Sequence, residues 1–216
     1  EKENYPFKKL MWDTMYQRFD KAGSPHVGNV PEITIIPTKQ YYWPLPFSKA
    51  TVSNAGKTKT DADGYIVPGS WEGGIPFPKP AGPNKALQIV YNFERSQYNG
   101  DNTYGWLQSI GFNKNLEIDW KSGIQAWMVQ FQGRTQVEPL GWYDKRAKKL
   151  MERKTAADMW ISPRDLYGQV LSWIWYSDVG KDNLVLAYVN ALRRVRRLAG
   201  GDTQDPIAGM DLISDD

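Results

Sequence analysis

Two acidic residues are the best candidates in the sequence for a catalytic pair. Glu117 and Asp119 lie two positions apart in a stretch of alternating apolar and polar residues, so both project from the same face of a strand. Two carboxylates can cleave a glycosidic bond when one of them is held in a protected, apolar site. Here the alternation places both acids on the solvated face. Neither acid is then protected, which weakens this interpretation. A carbohydrate-active enzyme with paired carboxylates in an aromatic cleft stays open as an alternative function.

Other catalytic and metal-binding patterns are missing from the sequence. The one histidine, His26, lies in the turn-like residues 24–28, and no Gly-x-Ser-x-Gly motif supplies a nucleophile for it. The glycine-rich residues 69–74 lack the Gly-Lys-Ser/Thr ending of a phosphate-binding loop. Without cysteine, the chain cannot form disulfides, zinc–cysteine sites or iron–sulfur clusters. We predict no catalytic residue, no metal, no cofactor and no enzymatic activity.

A basic cluster late in the chain offers a different chemistry, the binding of anions. Its members are Arg193, Arg194, Arg196 and Arg197. These arginines could contact the phosphates of nucleic acid, or anionic lipid headgroups at roughly 1 kcal/mol per basic residue. They could also pair with the five aspartates of residues 201–216. We predict a headgroup or partner contact, and the other two alternatives stay open.

Aromatic side chains are abundant, with 10 Trp, 12 Tyr and 7 Phe among 216 residues. Residues 168–176 and 183–189 predict two paired strands that are apolar on both faces, and such strands are covered on both sides. One cover can be the protein itself and the other a bound apolar molecule. The candidate ligand-binding residues on this basis are Trp120, Trp127, Leu171, Trp173 and Trp175.

The elements that position these groups form one predicted domain over residues 1–216. Apolar residues at every fourth position predict a helix within residues 1–24. Ten prolines mark residues 25–85 as loop-rich. Residues 86–198 predict an antiparallel sheet core, and the acidic residues 199–216 predict a solvated tail.

Within the predicted sheet core, composition suggests the local elements. Residues 86–93 are rich in β-formers and predict a strand. The alternation at 116–120 predicts a second strand, followed by a turn at 121–123 and a return strand at 124–131. The basic residues 143–154 predict a solvated helix or loop.

Two motifs resemble those of a bacterial family. The first is Gly-Ile-Pro-Phe-Pro-Lys-Pro at residues 74–80, followed by an apolar stretch that ends in Tyr-Asn at residues 91–92. The second joins the arginine cluster to Asp-Thr-Gln-Asp-Pro at residues 202–206. In this order the motifs resemble the bacterial domain-of-unknown-function family 1329, which is similar to outer-membrane lipoprotein-sorting proteins of the LolA and LolB type. The resemblance covers about residues 30–216.

The resemblance implies a half-open, LolA-like antiparallel β-barrel whose concave face is partly plugged by helices and holds an acyl chain. It also implies a location in the periplasm or at the periplasmic face of the outer membrane. Family members continue past the acidic segment with more strands, so we expect a fragment or a chain whose remaining strands come from elsewhere. Because the first residue is Glu1, we also expect a processed or trimmed chain without its targeting signal.

Together these observations predict an α+β fold, in which a curved antiparallel sheet carries an N-terminal helix and helices packed on its concave face. The predicted function is a periplasmic carrier for a lipid or a lipoprotein acyl chain in outer-membrane trafficking. The predicted partners are a hydrophobic small molecule or lipid, components of the outer membrane or of a transporter, and a second copy paired through exposed sheet edges. The net charge of +3 is too small to imply nucleic acid.

Overall fold

The computed structural model describes residues 36, 37, 39, 41–113, 115 and 117–198. The chain divides into two compact units, one of residues 1–41 and 112–118 and the other of residues 42–111 and 119–216. Most described residues belong to the second unit, which holds the candidate site. Among the described helices, none has both the length and the apolar character to cross a membrane.

The described helices are short. Helix α1 is Leu45–Ser53, α2 is Lys85–Glu94 and α3 is Lys145–Leu150, and a 3-10 turn spans Asn190–Leu192. Helix α3 begins after an N-cap residue, Asp144, whose carboxylate accepts a hydrogen bond from the Ala147 N–H at 2.6 Å.

Eight strands lie in the described part of the chain. They are β1 Asn102–Phe112, β2 Ile118–Gln130, β3 Gln132–Arg134, β4 Gly141–Trp142, β5 Glu152–Ser162, β6 Val170–Tyr176, β7 Leu184–Val189 and β8 Arg194–Leu198. Strands β3 and β4 pair as a small two-stranded sheet. The other six form one sheet in the order β1-β2-β5-β6-β7-β8.

The six-stranded sheet is open, because β1 and β8 stand at opposite edges. All its pairs from β2 to β8 are antiparallel. The predicted α+β fold with a curved, open antiparallel sheet is confirmed, as is the strand pair over residues 168–176 and 183–189, which is β6 and β7. The helix predicted within residues 1–24, His26 and the acidic tail lie outside the described residues.

Residues 86–93 are helical, so the strand predicted there is wrong. Leu87 and Tyr91, which lie one helical turn apart, pack in a small core with Ile66 and Trp71. The β-branched residues between them stay exposed. Burial of two residues at helical spacing thus overrides the β propensity of the segment.

Strand β2 runs without interruption through residues 121–123, so the turn predicted there is also wrong. The register with β5 shifts after Gly123, whose N–H donates to the hydroxyl of Ser162 at 2.8 Å. A glycine between polar residues can mark a bulge as well as a turn. The β1–β2 turn lies earlier, where the Asn113 N–H donates to the Glu117 carbonyl at 2.9 Å.

Residues 143–154 are only partly solvated. Helix α3 exposes its basic side chains, as predicted, but β5 begins at Glu152, and both Glu152 and Arg153 are buried. The guanidinium of Arg146 lies 2.7 Å from the Glu152 carboxylate. The prediction is therefore wrong for the end of this segment, since charged residues can be buried when they are paired.

A small apolar core forms between α2 and the loop-rich segment before it. Trp71 is 2% exposed and clusters with Ile66 and Tyr91. The Asn92 amide holds the backbone of Phe77 on both sides: it accepts from the Phe77 N–H at 2.9 Å and donates to the Phe77 carbonyl at 2.7 Å. The first motif of the family resemblance therefore anchors the proline-rich loop to α2.

Buried polar side chains join the start of β1 to the end of β2. We call Gln97, Asp101, Gln132 and Arg134 the polar junction. The Asp101 carboxylate accepts hydrogen bonds from the backbone N–H groups of residues 135–137, the shortest at 2.6 Å. The Arg134 guanidinium donates to four oxygen atoms at 2.8 to 3.0 Å. Both charges are thus satisfied largely by backbone groups.

Candidate functional site

One face of the six-stranded sheet collects side chains suited to an apolar ligand. Residues paired directly across antiparallel strands share a face, so Met128, Ala156, Trp173 and Val185 form one row. We call this surface the tryptophan face. It comprises Ala126 and Met128 of β2, Lys154, Ala156 and Asp158 of β5, Leu171, Trp173 and Trp175 of β6, and Val185 and Ala187 of β7.

Three of the predicted ligand-binding residues lie together on this face. Leu171, Trp173 and Trp175 are alternate residues of β6, and the two indole rings stack with centroids 6.2 Å apart and planes 17° apart. Every residue of β6 and β7 is half-buried. The rings are therefore fixed against each other and still accessible to a ligand in part.

The other two predicted residues lie elsewhere. Trp127 pairs with Ala157 and so lies on the opposite face of the sheet, with its ring centroid 5.5 Å from that of Tyr104. Trp120 precedes Gly123, whose partner is the last residue of β5, so Trp120 lies beyond the end of that strand. The five residues do not line one surface.

A single carboxyl group interrupts the tryptophan face. Asp158 lies between Ala126 of β2 and Leu171 of β6. Burial among these apolar neighbours raises the pKa of Asp158. In its protonated form this carboxyl can donate a hydrogen bond to a polar group of a ligand.

Asp158→Asn is expected to raise the thermal unfolding midpoint at about pH 7, because the amide removes the cost of a charged group in an apolar setting. The unfolded chain releases this proton near its ordinary pKa of 3.8. Since the folded protein holds the proton to higher pH, the cost to the wild type disappears as the pH falls through the folded pKa toward that value.

Midpoints of both proteins measured from about pH 4 to about pH 8 check this result, and the gain is expected to shrink at the acid end. The control is Asp165→Asn, because Asp165 is exposed in the loop after β5 and its replacement is expected to leave the midpoint unchanged. Equal midpoints for wild type and Asp158→Asn near neutral pH would contradict the prediction.

At one end of the tryptophan face, two arginines pair with one carboxylate beside a lysine of the face. We call Glu94, Arg95, Arg153 and Lys154 the cationic cluster. Glu94 is the last residue of α2, and Arg95 follows it. The register between β5 and β6 shifts between residues 152 and 154, which makes Arg153 the extra residue of a bulge. The bulge and the end of α2 bring Glu94, Arg95 and Arg153 together, next to Lys154 in the chain.

Glu94 is the shared anion of the cluster. Its carboxylate lies 2.7 Å from the Arg95 guanidinium and also contacts Arg153. The Lys154 ammonium lies 4.5 Å from the centroid of the Trp175 ring. Lys154 therefore belongs both to the cationic cluster and to the tryptophan face.

The cationic cluster carries an excess of positive charge. Arg95 and Arg153 are each 5% exposed. Burial lowers the pKa of Arg95, and burial together with a neighbouring arginine charge lowers the pKa of Arg153 and of Lys154. The Nε atoms of both arginines are buried and have no hydrogen-bond partner among the described residues. Such a group of cations can bind an anion.

The predicted arginine cluster lies at the edge of the sheet. Arg194, Arg196 and Arg197 belong to β8, and Arg193 precedes them with a φ of 48°. All four are exposed. Arg196 pairs with Ala187 on the tryptophan face, and Arg197 therefore lies on the opposite face. The strand divides the arginines between its two faces, and the aspartates of residues 201–216 lie outside the described residues.

The opposite edge of the sheet is apolar. Strand β1 exposes several large apolar side chains, and Trp106 is 62% exposed. Others on this strand are Tyr104, Leu107, Ile110 and Phe112. The two edges therefore differ in character, one being basic and the other apolar.

The carboxylate pair considered for glycoside hydrolysis is exposed. Glu117 accepts a hydrogen bond from the Asn113 side chain at 2.9 Å, and Asp119 lies on β2. Neither has the protected surroundings that a glycosidase acid needs. Among the described residues, no group of three or more acidic, histidine or cysteine side chains could hold a metal ion.

Sequence analysis missed the cationic cluster. It depends on contacts between residues 94–95 and 153–154, and the basic composition of residues 143–154 is typical of a solvated face. Asp158 did leave a signal, because it is one acid within the otherwise largely apolar residues 155–161. A lone acid in an apolar strand is uncommon, because burial of an unpaired charge costs free energy.

Two solved structures resemble this chain at low identity. A DUF1329 family protein from Desulfovibrio piger is 16% identical, with a TM-score of 0.45 over 62% of this chain and 49% of that one. A putative outer membrane lipoprotein-sorting protein domain from Vibrio parahaemolyticus is also 16% identical, with a TM-score of 0.38 over 60% of this chain and 46% of that one. This chain spans about half the length of either structure. No curated protein matches it.

The family is identified over nearly the whole chain. The family model described as "Protein of unknown function (DUF1329)" matches residues 16–216. The resemblance inferred from the two motifs is thereby confirmed. The chain belongs to the DUF1329 family.

Proposed function

We propose that the protein is a periplasmic carrier that holds a lipid or another acyl chain on the tryptophan face. The observation that supports this proposal is the state of β6 and β7. Their residues are mostly apolar on both faces and yet only half-buried throughout. Apolar surface that stays in contact with water favours the binding of an apolar partner.

The chemistry of the tryptophan face suits a flexible hydrocarbon. Trp173 and Trp175 offer rigid rings, and Met128 offers an adaptable thioether on the neighbouring row. Small residues, Ala126 and Ala156, leave room between the larger side chains. A chain of methylene groups needs area and little directional bonding, which this surface supplies.

In this proposal the protein carries out no reaction, uses no cofactor and binds no nucleic acid. Its partners are the lipid and the outer-membrane or transporter components that deliver and receive it, together with a second copy paired through sheet edges. The periplasmic location is part of the proposal and follows from the family resemblance.

Trp173→Ala is expected to weaken binding of the neutral dye 1-N-phenylnaphthylamine by roughly tenfold, because it removes one ring of the stacked pair. The measurement is a titration of dye fluorescence, with urea unfolding to verify that the variant folds. Trp106→Ala is the matched control, since it removes the same side chain from the exposed edge strand β1 and is expected to leave dye affinity unchanged.

Two results would contradict the proposed function. One is the absence of dye binding at saturating concentration. The other is a dimer, detected by light scattering, whose formation excludes the dye, because a second copy would then cover the tryptophan face.

A further inference from the structure

We propose that the cationic cluster binds the anionic group of the carried ligand, a carboxylate or a phosphate, whose hydrocarbon part lies on the tryptophan face. This inference rests on the proposed function and deepens it. It defines the ligand class as an anionic amphiphile rather than a neutral oil.

The geometry joins the two surfaces at one residue. Lys154 shares the tryptophan face with Trp175, and its ammonium lies 4.5 Å from the centroid of that ring. Trp173 stacks on Trp175 farther along the same strand. A ligand whose chain lies along the two indole rings therefore reaches Lys154 with its end group. An amphiphile has the same arrangement, with a hydrocarbon chain that would lie on the indole rings and a charged end group that would lie at Lys154.

The cluster has binding capacity that the described protein groups leave unused. The guanidinium groups of Arg95 and Arg153 share the one carboxylate of Glu94, and Lys154, next to Arg153 in the chain, adds a third cation. The Nε donors of Arg95 and Arg153 are buried without a hydrogen-bond partner among the described residues. Buried donors are normally paired, and an unpaired one costs free energy. An added oxyanion would satisfy these donors and compensate the charge.

Solvent reaches the cationic cluster on the side where Glu94 lies. The side chains of Arg95 and Arg153 are 4% and 6% exposed, whereas that of Glu94 is 38% exposed. Glu94 and the half-buried Lys154 therefore stand where solvent meets the cluster. An incoming oxyanion binds Lys154 first and competes with the Glu94 carboxylate for the two guanidinium groups.

The test compares dodecanoate with 1-dodecanol as competitors of the bound dye. The two share a twelve-carbon chain and differ in charge. We expect dodecanoate to bind about tenfold or more tightly than the alcohol, as for a charge-assisted hydrogen bond. Lys154→Met is expected to reduce the ratio of dodecanoate affinity to dodecanol affinity several-fold, because it removes one of the three cations. Lys149→Met, on the exposed surface of α3, is the matched control and is expected to keep the preference.

Glu94→Gln provides a second variant with the opposite expected effect. It removes the competing carboxylate and keeps the shape of the side chain, so we expect it to increase the ratio of dodecanoate affinity to dodecanol affinity several-fold. A purely structural role for the cluster predicts no such gain.

The outcomes separate this inference from the proposed function. Equal affinity of wild type for dodecanoate and dodecanol overturns the inference and leaves the carrier function standing. Failure of the dye to bind at saturating concentration overturns the carrier function. Inorganic phosphate that binds tightly without displacing the dye overturns the assignment to a lipid headgroup and identifies a free anion as the ligand of the cluster.

Discussion

Asp101→Ala is expected to lower the free energy of unfolding by about 3 kcal/mol, because it leaves several backbone donors without their acceptor. Asp101 is 1% exposed. Its carboxylate accepts from the N–H groups of residues 135–137, with shortest distances of 2.9, 2.6 and 2.8 Å. These bonds hold the segment after β3 against the start of β1. A loss of this size is a large part of the 5–15 kcal/mol that stabilises a typical domain.

Urea unfolding followed by circular dichroism measures the effect. The control is Asp119→Ala, which removes an exposed carboxylate from β2 and is expected to change stability by less than about 0.5 kcal/mol. Asp101→Asn keeps one acceptor oxygen and is expected to fall between wild type and the alanine variant. If Asp101→Ala and Asp119→Ala unfold at the same urea concentration, the polar junction does not stabilise the fold as described.

Gly133→Ala is expected to lower the free energy of unfolding by about 3 kcal/mol, as much as Asp101→Ala, because backbone strain and a steric clash act together. Gly133 has a φ of +73°, where an L side chain is strained. A Cβ at this position would also lie 2.5 Å from a ring atom of Trp71, which is 2% exposed. The indole cannot move aside, because it is packed in the core beneath α2.

The matched control separates the two contributions. Gly141 has a φ of +75°, and a Cβ there meets nothing within 4 Å. Gly141→Ala therefore introduces backbone strain alone, and we expect it to lower the free energy of unfolding by about 1 kcal/mol. Thermal or urea unfolding of both variants gives the difference, which measures the clash with Trp71. If both variants lower the free energy of unfolding by the same amount, the clash with Trp71 does not contribute to the effect of Gly133→Ala.

The sheet was predictable where local patterning decides the structure. In β6, Leu171, Trp173 and Trp175 alternate with Ser172 and Ile174, and the structure places these three on one face as expected. Residues 86–93 were not predictable in the same way. Their β-branched composition favoured a strand, whereas contacts of α2 with Trp71, a residue outside the segment, decide for a helix.

The candidate site was predictable only in part for a similar reason. Strand alternation places Trp127 and Met128 on opposite faces, and only the register between β2 and β5 shows that Met128 is the one that shares a face with Trp173. The cationic cluster depends on a bulge at Arg153 and on the end of α2. Neither the bulge nor the approach of α2 leaves a pattern in the spacing of residues.

The basic strand β8 restricts how copies of this protein can polymerise. Any strand added beside β8 would strip water from its guanidinium groups, which is costly, so that edge resists extension. Among the strands that the structure describes, β1 is then the edge available for pairing. Two copies joined β1 to β1 use up that edge in both partners, so for the sheet of described residues, growth by strand addition stops at a pair instead of continuing into a filament.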